Sequence, residues 1–88
     1  MSYCRIIFYR KDGCHLCEQM ACELEQFLQA RSDRHQITIE ERDIEDDSSW
    51  YDSFREYIPV LVVGAEEVCH YFMDRTELNA AISKQIQT

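Results

Sequence analysis

With 88 residues, of which 45% are hydrophobic and 11% aromatic, the chain has the length of one domain and too much apolar content for disorder, although 30% of its positions are charged. Seventeen acidic residues against nine basic ones give a net charge of −8, with many of the acids between Glu40 and Asp52, a surface that repels phosphate backbones and argues against a nucleic-acid partner. The apolar run near the start, Ile6-Ile7-Phe8, is far shorter than a signal-peptide core or the ~20 residues of a membrane span, so a cytoplasmic location and no membrane partner are expected.

Cys4-Arg5-Ile6-Ile7-Phe8-Tyr9 is β-branched and aromatic, and the polar stretch Arg10-Lys11-Asp12-Gly13 stops it. This reads as a short buried strand followed by a loop. From Leu16 onward Met20, Leu24, Phe27 and Leu28 recur at three- and four-residue spacing, with Glu18, Gln19, Glu25 and Gln26 opposite, which predicts an amphipathic helix ending near Arg31. Ser32-Asp33-Arg34 breaks it. Residues 36–42 then alternate with the period of two expected of a strand.

Within Asp46 to Tyr57 a short second helix is expected, with Ser49 as its N-cap and Trp50, Phe54 and Tyr57 on one face. Pro59 precedes the β-prone run Val60-Leu61-Val62-Val63, and Gly64-Ala65-Glu66 can turn that run back into 67–72 as a hairpin. Asp74-Arg75-Thr76-Glu77 has the arrangement of a capping box, and Leu78, Ala81, Ile82 and Ile86 form the apolar face of a last helix. The order βαβαββα over residues 1–88 predicts a single α/β domain. Its four-stranded mixed sheet is flanked by three helices, the first two strands are parallel because a helix crosses between them, and the hairpin forms the antiparallel edge.

Five cysteines are an odd number, and nothing in the chain suggests export, so a structural disulfide framework is not expected. Cys14-His15-Leu16-Cys17 stands where the first loop enters the first helix, and the position carries more information than the motif. Unpaired amides and the dipole of a helix N-terminus stabilise an anion, so Cys14 is expected to be thiolate-rich and nucleophilic. Cys17, one turn inside and partly covered, is the expected resolving thiol that releases a mixed disulfide.

Half of a zinc site and simple core cysteines are the alternatives for this pair, but for zinc no second CxxC or paired-histidine motif supplies the other ligands, and the spacing of Cys22, Cys69, His35 and His70 fits no common pattern. No resident metal is expected. Cys4, Cys22 and Cys69 are read as buried core thiols, with Cys22 about 140° around the helix from Cys17. His15 either supports the thiolate as imidazolium or is a solvated first-turn residue.

The element order, the Cys14–Cys17 motif after the first strand, and Ile58-Pro59-Val60 entering the third strand together resemble glutaredoxins and their thioredoxin-fold relatives, over nearly the whole chain. The resemblance implies a thioredoxin-like fold and a thiol–disulfide oxidoreductase that reduces protein or glutathione-mixed disulfides. It would bind no resident cofactor, and glutathione or a thioredoxin-reductase-type donor would recharge it. The resemblance further implies that Lys11 supports the thiolate and a substrate carboxylate. Pro59 matches the family's cis-proline, and Ile58 the residue that pairs backbone to backbone with glutathione or a peptide.

Two departures limit the likeness. Tyr71-Phe72-Met73 stand where glutaredoxins usually place Gly-Gly for the glutamyl end of glutathione, so that site is expected to be obstructed; Asp74 would serve it by another route or else simply cap the helix. The dipeptide His15-Leu16 is also neither of the usual family pairs. Two other readings of the chain are a non-catalytic thioredoxin-fold module that docks a partner through its acidic surface and Trp50, Tyr51, Phe54 and Tyr57, and an iron–sulfur or zinc carrier. A monomer is expected.

Overall fold

A computed structural model describes residues 3–86. The elements are β1 (Cys4–Arg10), α1 (His15–Gln29), β2 (Ile37–Asp43), α2 (Ser48–Phe54), β3 (Val60–Val63), β4 (Glu66–His70) and α3 (Arg75–Ile86), with single 3₁₀ turns at Arg34–Gln36 and Ile44–Asp46. The sheet order is β2-β1-β3-β4, with β1 parallel to β2 and the other pairs antiparallel, as the helix crossover and the hairpin require.

β1 lies between two neighbours and carries apolar residues on both faces, the pattern of a strand covered on each side. Cys4, Ile6 and Phe8 face a core built with Met20, Leu24 and Leu28 of α1 and Leu78, Ala81 and Ile82 of α3. Ile7 and Tyr9 alternate to the other face, where Ile44, Val60, Trp50 and Phe54 join them under α2. The sheet therefore separates two helices from one.

The differences from the sequence expectations have local causes. α1 ends at Gln29 with Ala30 as its C-cap, next to the expected end near Arg31, whose guanidinium donates to Asp33 at 2.9 and 3.0 Å. Ser49 does not cap α2. Asp47 does, accepting from the Ser49 N–H at 2.8 Å and the Trp50 N–H at 3.3 Å, since a carboxylate directly before the helix reaches both orphan amides. α2 thus ends before Tyr57, which is exposed and no longer shares a face with Trp50 and Phe54.

β4 ends at His70 instead of continuing to Phe72, and its pairing with β3 shifts between Leu61 and Val62, where Val68 is extra. Asp74 caps α3 through the Glu77 N–H at 3.0 Å, as the capping-box arrangement predicts. Cys4 is buried and Cys69 half-buried, but Cys22 is exposed, so the core reading fails for that thiol. It falls on the solvent side of α1, away from the stripe of Cys17, Met20, Leu24 and Leu28.

Candidate active site

Strand register gathers the site at one end of the sheet. β1 runs out at Arg10 into the loop that carries Cys14; Tyr9 pairs with Val60, the residue after Pro59; and Val60 pairs with His70, the residue before Tyr71. Three chain segments distant in sequence therefore end together. The loop is held by Arg10, which donates to Asp12 at 2.9 Å and to Glu41 of β2 at 3.1 Å. Gly13 makes the turn into the helix with φ at 77°; an added Cβ would meet no atom within 4 Å, so the demand for glycine there is conformational and not steric crowding.

Cys14 is the N-cap of α1. The Cys17 N–H donates to Cys14 Sγ at 3.1 Å, and the Glu18 N–H donates to Cys14 O at 3.1 Å. A sulfur in this position faces the orphan amides of the first turn, which favour negative charge on it. The two sulfurs are joined as a disulfide with their Cα atoms 5.1 Å apart. Cys14 is half-buried, whereas Cys17 is 2% exposed. An attacking thiol from another molecule can reach only the first of them.

The remaining thiols lie elsewhere and behave differently. Burial pushes the pKa of Cys4 and of Cys69 up, against the charged form in both cases. Among the described residues no three His, Cys, Asp or Glu side chains form a metal-ligand group, so Cys22, Cys69, His35 and His70 do not converge.

The other sequence candidates are placed as follows. Lys11 lines a cavity of about 260 Å³ together with Arg10, Asp12, Cys17 and Glu18, and its carbonyl accepts from the Cys14 N–H at 3.4 Å. His15 is exposed at the first position of α1. Pro59 is buried and follows a cis peptide bond from the half-buried Ile58. The Ile58 N–H donates to Phe54 O at 3.1 Å, which leaves the carbonyl as the group able to pair with an incoming strand. Asp74 has one carboxylate oxygen on the Glu77 N–H, so capping is the work the geometry assigns to it.

The proposed aromatic docking cluster divides. Phe54 stacks on Tyr9 with centroids 4.1 Å apart and Trp50 meets the same ring edge-on at 6.0 Å, so these two are core, while Tyr51 and Tyr57 are exposed. Tyr71 is the residue whose part the sequence conceals. It occupies a backbone position with φ at 64°, and its hydroxyl donates to Glu56 O. The family's glycines at this point were the available signal, since glycine is the residue that enters this region freely.

Among the described residues no helix is long and apolar enough to cross a membrane. A family model described as Glutaredoxin-like domain (DUF836) matches residues 5–83. No curated protein matches the chain. Among solved structures it is similar to protein Ne2328 of Nitrosomonas europaea, at 26% identity and a TM-score of 0.78, covering 94% of this chain and 95% of that one. It is also similar to mitochondrial thioredoxin 3 of Saccharomyces cerevisiae in its oxidised form, at 16% identity and a TM-score of 0.67, over 96% of this chain and 80% of that one. Thioredoxin 1 of Thermosipho africanus resembles it at 16% identity and a TM-score of 0.59, over 91% of each chain. The chain thus has the thioredoxin fold.

Proposed function

From the premise that the chain belongs to the glutaredoxin-like domain family, we propose that it is a cytoplasmic thiol–disulfide oxidoreductase that reduces disulfides presented on a polypeptide. The observation that carries the reading is the inequality of the two thiols. Cys14 caps the helix under the Cys17 amide at 3.1 Å, while Cys17 is 2% exposed beneath it.

In the reduced protein the Cys14 thiolate attacks one sulfur of a substrate disulfide; that S–S bond breaks, a mixed disulfide forms, and the departing thiolate takes a proton. Cys17 gives up its proton and attacks Cys14 Sγ, expelling the second substrate thiolate. The substrate gains two electrons, and the protein is left with the Cys14–Cys17 disulfide. Two glutathione molecules, leaving as glutathione disulfide, or a thioredoxin-reductase-type dithiol donor then restore the pair. Lys11, in the loop three residues before Cys14, adds positive charge near the developing thiolates. The Ile58 carbonyl, beside Pro59, is the edge on which the substrate backbone would align. We expect a monomer to suffice, with no nucleic acid or membrane partner.

The test is selective alkylation of the fully reduced protein. Cys14 is expected to react with iodoacetamide well below about pH 8 and faster than the other four thiols, because only the thiolate is nucleophilic and only Cys14 sits at a helix N-terminus. Exposed Cys22 should follow more slowly. Cys4 and Cys69, with pKa values pushed up by burial, should lag. Mass mapping after brief exposure decides it, and equal labelling of Cys14 and Cys22 near neutral pH would remove the assignment of the nucleophile.

The docking side of the reading favours a peptide over glutathione. Asp74 is engaged with the Glu77 amide, and Tyr71 and exposed Phe72 stand where a glycine cradle would be. In a glutathione-coupled assay we expect turnover well below that of an ordinary glutaredoxin run alongside. Comparable turnover would show that other groups replace the missing amides.

A further inference from the structure

Tyr71 is the one non-glycine residue, among those described, with a positive φ. The Phe72 N–H donates across it to His70 O at 2.7 Å, which with φ at 64° makes the rare, strained form of the three-residue turn. A bulky side chain in that region is sterically opposed, and it persists only where the surroundings hold it. Here they do. The Tyr71 N–H donates to Pro59 O at 2.9 Å, and its hydroxyl donates to Glu56 O. Its ring meets His70 at 4.8 Å, and His70 meets Tyr57 at 5.8 Å.

One residue thereby bonds the chain on both sides of Ile58. The same stretch is pinned from α2, where the Tyr57 and Ile58 N–H groups both donate to Phe54 O, at 2.8 and 3.1 Å. A glycine would make the turn without strain, but it would have no hydroxyl to reach Glu56. We infer that Tyr71 is a positioning residue for disulfide exchange, holding the Ile58–Pro59 edge in the orientation in which a disulfide-bearing peptide segment pairs with it at the Cys14 end of the sheet. This rests on the exchange reading above.

The test uses pre-reduced wild type and Tyr71→Phe in single-turnover reactions with two probes. One is a short peptide carrying a mixed disulfide; the other is 5,5′-dithiobis(2-nitrobenzoate), which has no peptide backbone to align. Loss of one hydrogen bond should raise the half-saturating peptide concentration by roughly three- to tenfold. The limiting rate should stay the same, and attack on the small disulfide should remain within about twofold. Amide exchange at Tyr57 and Ile58 should also quicken, an effect read without any activity. An unchanged half-saturation with unchanged amide exchange overturns the role of Tyr71 alone. A parallel fall in attack on both probes marks a general structural loss and overturns it as well. Wild type that attacks neither probe would remove the exchange reading and this inference with it.

Discussion

Cys17→Ser is expected to accumulate mixed disulfides on Cys14, and Cys14→Ser to trap almost nothing. The first substitution leaves the half-buried nucleophile at its cap and removes the thiol placed to release a bound partner. The second leaves a thiol that is 2% exposed beneath the first turn of α1, out of reach of a disulfide on another molecule. Turnover should fall below detection in both, so trapping, not rate, separates the roles. Serine at position 14 keeps the fold, because it is a favoured N-cap and can accept from the Cys17 amide as sulfur does. Serine at position 17 buries a hydroxyl, which costs about 1–3 kcal/mol if it finds no partner, so Cys17→Ala serves as the control that buries no polar group. Both position-17 variants should trap alike. Efficient trapping by Cys14→Ser, or capture of neither glutathione nor any protein by Cys17→Ser under oxidising conditions, would defeat the oxidoreductase reading.

What was legible in the sequence was whatever depends on periodicity and on chemistry at element boundaries. The two-residue alternation of β1 and the three- and four-residue spacing along α1 are consequences of backbone geometry, so the sheet, its helices and the core stripe could be read directly. The placement of Cys14 at a helix mouth followed from the loop before it and the amphipathic run after it. Competing local signals were harder. Both Ser49 and Asp47 are cap residues; the choice between them depends on where the chain leaves Ile44, whose side chain is buried against Tyr9's face of the sheet. Composition could not show that Cys22 lies on the solvent side of α1, because cysteine is buried so often that its residue type outweighs its helical position.

Tyr71 illustrates a different limit. Its backbone is held by bonds to Pro59 and Glu56, 12 and 15 positions earlier in the chain, and no short window of sequence around it contains that information. Side-chain bulk alone argues for obstruction; the hydrogen bonds turn the same residue into a brace. Functional sites are where local preference and observed backbone part company, which is why the site was less legible than the scaffold.

Tyr9→Ala is expected to be the most damaging single substitution on the α2 side of the sheet, lowering stability by about 3–5 kcal/mol. Tyr9 is 7% exposed, stacked on Phe54 at 4.1 Å and edge-on to Trp50 at 6.0 Å, so truncation opens a cavity where α2 is packed to β1. Its hydroxyl accepts from Arg42 Nη1 at 2.9 Å, and that guanidinium also lies 4.9 Å from the centre of the Trp50 ring. Tyr9→Phe isolates this bond. Because Arg42 is partly solvated and keeps its contact to Glu40, water can replace the phenol and the cost should be only about 0.5–1 kcal/mol. Packing, not the hydrogen bond, should dominate. For a domain whose total stability is of order 5–15 kcal/mol, the alanine variant stays near the edge of folding, while the phenylalanine variant unfolds almost as wild type does. Urea titrations of the oxidised protein, compared at equal slope, measure both. The functional consequence follows from register: Tyr9 pairs with Val60, next to Pro59, and α2 supplies the Phe54 carbonyl that holds Ile58. Loosening α2 should therefore weaken capture of a peptide disulfide by Tyr9→Ala under conditions where it is still folded, while Tyr9→Phe captures normally. An alanine variant no less stable than the phenylalanine one would show that α2 is held by contacts other than this ring.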